Sequence, residues 1–208
     1  LLKDGHQVTG LVHRRPPPRL DVAWLEGDVT QPNFGLKGLT FQDALIHCAG
    51  QVRFRESQSL HLTNVYGVNN AIQLAMSWGM PLFHVSTAYV NGVAAGTPAT
   101  PDSLPGRLRN AYERSKHQAE LMVRNQAGLD YTIVRPSILV GDSKLVGLPP
   151  PMGLYQGVKA LAMVKRWAER HMGLPPLKPA LRLEGNPLGT VNLIPVDLAA
   201  RQLADLVK

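Results

Sequence analysis

Short apolar segments alternate with stretches of helical periodicity along the first 140 residues. Two helices are predicted, one over residues 59–79 that ends at Gly79, and one from Ala111 to about Gln126. Strand and crossover helix in alternation predict an α/β fold with a doubly wound, Rossmann-like parallel sheet. Five nearly continuously apolar segments are the predicted strands, as is typical of parallel strands covered on both faces: residues 6–12, 22–27, 44–50, 82–90 and 131–140.

The beginning of the chain lacks two parts of such a fold. "LLKDGHQV" reads as a helix end closed by Gly5 and followed by a strand. No first strand and no glycine-rich turn precede it, although a doubly wound nucleotide domain binds pyrophosphate on that turn. We therefore expect residues 1–141 to be a dinucleotide-binding core that is incomplete at its N-terminus.

Proline and glycine become frequent after Gly141, as in "GLPPPMG" and "EGNPLG". One helical stretch, residues 155–173, and a last strand, residues 191–195, are predicted within this region. We expect residues 142–208 to be a small, loop-rich substrate lobe that returns to the core near residues 191–208.

Composition limits the classes of protein that need to be considered. The 208 residues, 44% of them hydrophobic, suffice for one α/β domain with a sizeable core. Cys48 is the single cysteine, which excludes an internal disulfide and suits a reducing cytoplasm. The histidine and cysteine spacings contain no zinc motif, and no apolar run is long enough for a membrane span. We expect a soluble, cytoplasmic protein without a metal.

The chain is basic, with a formal net charge of +7 and a pI near 9.8. Such a charge favours a polyanionic partner without selecting one. Residues 155–173 combine apolar and basic side chains and leave a membrane-surface contact open, although a substrate-lobe helix is preferred. Basic clusters without a recognisable binding module do not indicate nucleic acid.

Candidate chemistry is concentrated in "HVSTAYVNG" and "NAYERSKHQAE". A helix places Tyr112 and Lys116 on one face, so that phenol and ammonium can reach one cleft. Ser86 and Thr87 follow a buried strand at its carboxyl end, where ligands of doubly wound sheets bind. Taken alone, the tyrosine and lysine could be a solvated helix pair, and the two hydroxyls could merely bond backbone at a strand end.

These segments, together with "IHCAGQVRF" and "VRPSILVGDS", resemble the extended short-chain dehydrogenase/reductases over nearly the whole chain. Within that superfamily they look most like the thioester reductase and fatty acyl-coenzyme A reductase branch. The resemblance implies Tyr112 as general acid and Lys116 as its pKa modifier and ribose ligand. It implies Thr87 as the hydroxyl that orients the carbonyl, with Ser86 as the competing choice. Asn64 matches a helix asparagine that supports a water or the lysine, or that simply packs against the sheet edge.

Cofactor residues follow from the same resemblance. Asp28 could also be a turn former, and Ala49 with Gly50 a plain exit from a strand. His13, Arg14 and Arg15 stand where a 2′-phosphate would bind, and a nearby carboxylate that would select NAD is missing, so NADP(H) is expected over NAD(H). The implied cofactor contacts are Asp28 and Val29 at the adenine, Ala49 and Gly50 under the pyrophosphate and ribose, Lys116 at the ribose, and Pro136 and Ile138 at the nicotinamide carboxamide, with Cys48 and Val85 as further cofactor-binding residues.

The resulting hypothesis is an NADPH-dependent oxidoreductase that reduces a carbonyl in an acyl thioester, an aldehyde or a ketone. The expected partner is a small-molecule or carrier-bound acyl substrate, and a homodimer is left open. Two alternatives use the same tyrosine and lysine: a nucleotide-sugar epimerase or dehydratase, and a 3β-hydroxysteroid-type dehydrogenase. Arg166, Arg170 and Arg182 would suit a nucleotide diphosphate, whereas the apolar residues 145–163 would suit an acyl chain. A non-catalytic NADP-binding sensor or assembly factor is the alternative of a different class.

Overall fold

The computed structural model describes residues 1–14, 22–38, 40–92, 106–144, 154–171 and 190–208. Within these residues the chain forms two compact units, one of Leu1–Pro136 with Leu203–Lys208 and one of Ser137–Gln202. Arg15, Arg182 and the proline-rich segments after residue 144 lie outside the described residues, as do residues 145–153 of the apolar segment proposed for an acyl chain. None of the described helices is long and apolar enough to cross a membrane.

All strand pairs of the first unit are parallel. Strands β1 (Thr9–Val12) and β2 (Ala23–Glu26) form one two-stranded sheet, and β3 (Leu45–His47), β4 (Leu82–Val85) and β5 (Tyr131–Val134) form a three-stranded sheet in that order. In the described residues these two sheets are not hydrogen-bonded to each other. The parallel pairing agrees with the predicted α/β class, and it brings the carboxyl ends of β3, β4 and β5 to one edge.

The first long helical segment follows β3 and changes its winding along its length. It begins as α1 (Gln58–His61), continues as a π-helical turn (Leu62–Tyr66) and ends as α2 (Gly67–Trp78). The Ser57 hydroxyl caps it by accepting a hydrogen bond of 3.2 Å from the backbone N–H of Leu60. The predicted stop at Gly79 is confirmed, because that residue adopts φ +65°, which glycine tolerates.

Helix α3 (Ala111–Asn125) packs with α2 over the core of the first unit. Buried aliphatic side chains from α2, β4 and α3 form this core, as the apolar periodicity of the two helices predicts. At its N-terminus the Asn110 side chain accepts a hydrogen bond of 3.0 Å from the backbone N–H of Glu113. This cap fixes the start of the helix at Ala111, five residues before Lys116.

The second unit contains a parallel pair of strands and two helices. Strand β6 (Ile138–Val140) pairs with β7 (Leu193–Pro195). Helix α4 (Leu154–His171) lies within this unit, and α5 (Val196–Val207) begins in it and ends in the first unit. Ser143 donates its hydroxyl to Asp197 at 2.6 Å, which joins the end of β6 to the start of α5.

Each of the five predicted strands is shorter in the structure than its apolar segment, and for two of them the reason is visible. The predicted strand 82–90 ends at Val85 because Thr87 caps a 3₁₀ turn (Ala88–Asn91). The predicted strand 131–140 is divided into β5 and β6 by the segment around Pro136, whose ring nitrogen cannot donate to a strand ladder. Apolar content alone does not distinguish a strand from a buried turn, and these two corrections follow from that.

Candidate active site

Lys116 is buried at the carboxyl edge of the three-stranded sheet. Its side chain is 4% exposed, and its Nζ atom donates a hydrogen bond of 2.7 Å to the carbonyl oxygen of Val85. Because a surface lysine would keep its ammonium in water, a solvated helix pair is excluded for this residue. The contact places the ammonium at the end of β4, next to the residues that follow that strand.

Burial changes the proton affinity of this lysine. Desolvation lowers the pKa of Lys116 from 10.5 to about 8, while the negative charge of Glu120 acts in the opposite direction and raises it. The ammonium therefore remains charged at neutral pH but loses its proton far more readily than an ordinary lysine. A group with such a pKa can take part in proton transfer near physiological pH.

Tyr112 stands one helical turn before Lys116 and is partly buried. Burial raises the pKa of its phenol, and a hydrogen-bonding interaction with the Thr87 side chain lowers that pKa. Thr87 is itself buried and also accepts a hydrogen bond of 3.4 Å from the backbone N–H of Tyr89. The structure thus brings Tyr112 and Thr87, predicted from separate segments, into contact.

Ser86 is equally buried but is engaged differently. Its backbone N–H donates to the carbonyl oxygen of Val134 at 2.7 Å, which continues the ladder between β4 and β5. Its hydroxyl has no hydrogen-bond partner among the described residues. Between the two hydroxyls proposed from sequence, the contact with the Tyr112 phenol belongs to Thr87.

Two buried histidines lie close enough to Lys116 for its charge to act on them, and the sequence did not predict them at this site. His47 ends β3 and His84 stands opposite it in β4, with ring centroids 5.6 Å apart. Both rings are buried, and none of their nitrogens has a hydrogen-bond partner among the described residues. Desolvation, with the Lys116 charge as a second cause, lowers the pKa of His47 to about 4 and of His84 to about 2. Both imidazoles are therefore neutral at pH 7.

Asn64 lies in the π-helical turn and is completely buried. Its amide oxygen accepts from the backbone N–H of Gln51 at 2.7 Å, and its amide nitrogen donates to the Gln51 carbonyl at 3.0 Å and to the Ser115 hydroxyl at 2.9 Å. The Ser115 hydroxyl in turn donates to the carbonyl oxygen of Tyr112 at 2.8 Å. Asn64 thus ties the loop after β3 to the helix that bears Tyr112 and Lys116.

A buried carboxylate fixes the segment before that helix. Glu113 is 2% exposed and accepts hydrogen bonds from the Arg109 backbone at 2.7 Å, the Arg109 guanidinium at 2.9 Å and the Asn110 amide at 3.0 Å. The Arg109 guanidinium also lies over the ring of Tyr89, 5.2 Å from its centroid. The turn after Thr87 and the helix of Tyr112 are therefore held together. The spacing Asn110-x-x-Glu113 is the capping pattern that could have revealed this role from sequence.

A cleft of about 420 Å³ opens at the ends of β1, β2 and β3. It contains four of the residues that the resemblance assigned to the cofactor: His13, Asp28, Val29 and Ala49. One Asp28 oxygen accepts from the backbone N–H of Thr30 at 2.8 Å, so the suggested turn-forming role is present. The other lies 3.6 Å from the His13 imidazole.

Three further polar residues line this cleft and were not predicted: Gln51, Ser59 and Thr63. Gln51 donates from its amide to the Thr63 hydroxyl at 3.1 Å and accepts from the Ser59 hydroxyl at 3.2 Å, and all three side chains line the cleft. Gln51 could have been predicted from its position, because it directly follows Ala49 and Gly50, and Ser59 and Thr63 lie in the helical segment that comes next. Together with Asp28, these side chains give the cleft hydrogen-bonding groups beside its apolar residues.

The other residues assigned to the cofactor are distributed as follows. Gly50 lies against Asn64, and a Cβ atom added there would stand 3.6 Å from the Asn64 amide oxygen. The Pro136 carbonyl accepts a hydrogen bond of 2.9 Å from the backbone N–H of Ala88. Cys48 and Arg14 are exposed, Ile138 begins β6 in the second unit, and Arg15 lies outside the described residues.

The comparisons with known proteins decide the family. Residues 16–203 match the family described as male sterility protein, an NAD-binding family. The chain belongs to the male sterility protein family. This match, together with the solved structures that share its fold, confirms the predicted membership of the extended short-chain dehydrogenase/reductases. The prediction of an NAD(P)-dependent oxidoreductase is confirmed at the level of this family.

Relatives of this member of the male sterility protein family include parts of large synthetases. The chain is 28% identical over 224 residues to the hybrid PKS-NRPS synthetase pvhA of Talaromyces variabilis, covering 100% of this chain and 5% of the relative. It is 28% identical over 131 residues to the hybrid PKS-NRPS synthetase gkaA of Penicillium citrinum, covering 56% of this chain and 3% of the relative. The chain thus spans a small fraction of these curated relatives.

Solved structures agree with the predicted fold. The terminal R domain from the myxalamid PKS-NRPS biosynthetic pathway aligns with a TM-score of 0.66 and 27% identity, over 89% of this chain and 47% of that one. The NAD-dependent NDP-hexosamine 5,6-dehydratase TunA aligns with a TM-score of 0.66 and 20% identity, over 99% of this chain and 64% of that one. The second likeness shows the shared fold alone.

Proposed function

We propose that the protein is an NADPH-dependent reductase that acts on a carbonyl, with Tyr112 as the general acid. The observation that carries this proposal is the joint placement of Tyr112, Thr87 and Lys116 at the carboxyl edge of the parallel sheet. Ligands of doubly wound sheets bind at this edge. Together, a buried phenol, hydroxyl and ammonium at this edge can bind a carbonyl oxygen and supply the proton that it takes up on reduction.

Each of the three residues has a distinct task in this proposal. The Tyr112 hydroxyl donates a proton to the carbonyl oxygen as negative charge develops on it, and the Thr87 hydroxyl donates a hydrogen bond to the same oxygen. Two donors preorganised in a site with little water lower the barrier most when the charge is largest. The Lys116 ammonium favours the tyrosinate that remains, because a nearby positive charge lowers the pKa of a phenol.

NADPH is the cofactor in this proposal, and the cleft at the ends of β1, β2 and β3 fits its adenosine end. Asp28 and Val29 form one wall, and Ala49 allows the backbone to approach closely. The Arg14 guanidinium and the His13 imidazole follow β1 and would donate hydrogen bonds to a 2′-phosphate. When bound, the reduced nicotinamide supplies the hydride, and the residues at the sheet edge supply the proton.

The proposed substrate is an acyl thioester held on a carrier, or the aldehyde derived from it. With the thioester, hydride addition gives a hemithioacetal, and breaking its C–S bond releases the aldehyde and the carrier thiol. This class is supported by the relatives named PKS-NRPS synthetase and by the R domain of such a pathway, which is 27% identical to this chain. The net charge of +7 is compatible with a partner that carries a phosphopantetheine arm.

The proposal is tested by mixing the protein with NADPH and, separately, NADH, and following cofactor fluorescence before substrate is added. Acyl thioesters of short and long chains, the matching aldehydes and a nucleotide diphosphate sugar are then supplied. Tight binding of NADPH and its oxidation by thioesters or aldehydes are expected. Turnover of the nucleotide sugar without net oxidation of NADPH would contradict the proposal and identify an epimerase or dehydratase.

A further inference from the structure

The Lys116 ammonium is buried beside a partner that carries no charge. Its hydrogen bond goes to the Val85 carbonyl, and it makes no salt bridge within 4.0 Å to any described residue. A buried cation is costly unless a negative charge lies near it. A negative charge close to Lys116 would offset part of this cost, and the carboxylates near the residue are candidates.

Glu120 is the carboxylate whose charge acts on Lys116. It follows Lys116 by one helical turn on the same face of α3, and it is only 1% exposed. Its negative charge acts on Lys116 in the direction that favours the ammonium. The other titratable groups linked to Lys116 by charge are His47, His84 and the Cys48 thiol, none of which offers a carboxylate.

The Glu120 carboxylate is held in place by Arg135, the arginine of "VRPS". The Arg135 guanidinium donates to one Glu120 oxygen at 3.0 Å and to the other at 2.6 Å, in a two-pronged arrangement. A third guanidinium nitrogen donates to the Asn91 side chain at 3.1 Å, which anchors Arg135 to the turn that follows Thr87. Arg124 contacts the same carboxylate at 3.5 Å. Glu120 is thus fixed in orientation and buried.

We propose that Glu120, oriented by Arg135, is the positioning residue that keeps Lys116 protonated in its buried position. Arg135 has a second effect, because its positive charge offsets part of the Glu120 charge and so limits how strongly the ammonium is favoured. The pair would set the pH above which Lys116 loses its proton. The effect on catalysis rests on the function proposed above, whereas the effect on the protonation of Lys116 does not.

The test titrates Lys116 directly, by NMR of the protein labelled at the lysine side chains. Lys116→Arg identifies the Lys116 signal. In Glu120→Gln, which keeps the shape of the side chain, the titration midpoint of Lys116 should move to lower pH by about one unit relative to the wild type. Glu56→Gln is the matched control, because it removes an exposed carboxylate that pairs with Arg114, a residue of α3 like Lys116. Its Lys116 midpoint should not move.

A second variant covers the case in which Glu120→Gln leaves Arg135 buried without its partner and prevents folding. Glu120→Gln combined with Arg135→Met removes both charges, and a smaller shift in the same direction is expected. An unchanged Lys116 midpoint in a folded Glu120 variant would overturn the proposal. If the midpoint moves but neither wild type nor variant oxidises NADPH with any acyl substrate, the role of Glu120 stands and the proposed function fails.

The catalytic readout separates this role from a merely structural one. If Lys116 must be protonated for turnover, the alkaline limb of the pH profile of kcat should move down by the same amount as the NMR midpoint in Glu120→Gln. A loss of activity that is uniform across pH would indicate damage to the fold and would contradict a role through Lys116.

Discussion

The Lys116 ammonium lies 2.7 Å from the carbonyl oxygen of Val85, so a charged group from α3 closes the end of β4. This bond ties α3 to the carboxyl end of β4. Tyr112, one turn earlier on α3, interacts with Thr87, two residues beyond Val85. The three proposed functional groups thus lie at the end of the same strand.

Removal of the Tyr112 hydroxyl should abolish turnover and leave cofactor binding intact. Tyr112→Phe deletes the donated proton but keeps the ring and its packing, so kcat is expected to fall by about 100-fold or more. The Kd for NADPH, measured by fluorescence titration, should stay close to that of the wild type. Weakened binding with turnover retained would contradict the assignment of Tyr112 as the acid.

The two neighbouring hydroxyls provide a matched pair of variants. Thr87→Val removes the contact to Tyr112 and should lower kcat by about 100-fold, as loss of one donor to a developing oxyanion does. Ser86→Ala removes a buried hydroxyl that has no partner among the described residues, so kcat should be nearly unchanged and stability should not fall. Steady-state kinetics and thermal unfolding check both. The reverse ranking would assign the catalytic hydroxyl to Ser86.

The basic residues after β1 should discriminate between the two nicotinamide cofactors. Arg14→Ala is expected to weaken NADPH binding by about tenfold, because one charge-assisted contact to the 2′-phosphate is lost, and to leave NADH binding nearly unchanged. Lys37→Ala removes an exposed positive charge that is not part of the segment after β1 and serves as the control. Equal losses for both cofactors in Arg14→Ala would place the 2′-phosphate elsewhere.

The buried histidines should make the fold sensitive to acid. The pKa of His84 is lowered from 6.5 to about 2 by burial, so between these values the unfolded chain binds a proton that the folded chain does not. The contribution to stability is complete above pH 6.5 and is lost progressively as the pH falls below it. At pH 5 the loss is about 2 kcal/mol for such a histidine.

His84→Met should remove that part of the acid sensitivity. The difference in free energy of unfolding between pH 7.5 and pH 5, measured by urea titration, is expected to shrink in the variant. His6→Gln replaces an exposed histidine and should leave the difference as it is in the wild type. An undiminished difference in His84→Met would mean that the ring is hydrated or paired in solution.

Much of the fold was predictable because it depends on local pattern. The helix stop at Gly79 and the position of Tyr112 and Lys116 on one face of α3 follow from residue type and helical spacing. The early end of β4 at Val85 was missed, since apolar residues continue to Val90 and the competing signal is a single threonine cap. The π-helical turn around Asn64 was missed as well, because periodicity over a short window tolerates one extra residue.

The candidate site shows the same division. Tyr112, Thr87 and Lys116 were predicted because their residue types and their resemblance to a family carry the signal. The buried partners of that site were not predicted, because the pairing of Glu120 with Arg135 and the tilted ring contact of His47 with His84 join residues that are distant in sequence. Such contacts depend on which strands and helices become neighbours, and a single sequence does not state that directly.

The measurement that tests the central claim most directly follows both the origin of the hydride and the rate at which product forms. NADPH that carries deuterium at the transferred position is mixed with the protein and an acyl thioester, and the product is identified and quantified over time by mass spectrometry. The proposed function predicts deuterium on the former carbonyl carbon of the product, and a rate of product formation that is lower by about 100-fold or more with Tyr112→Phe, which still binds NADPH. A product without deuterium, or an equal rate with Tyr112→Phe, would contradict a reductase in which Tyr112 supplies the proton.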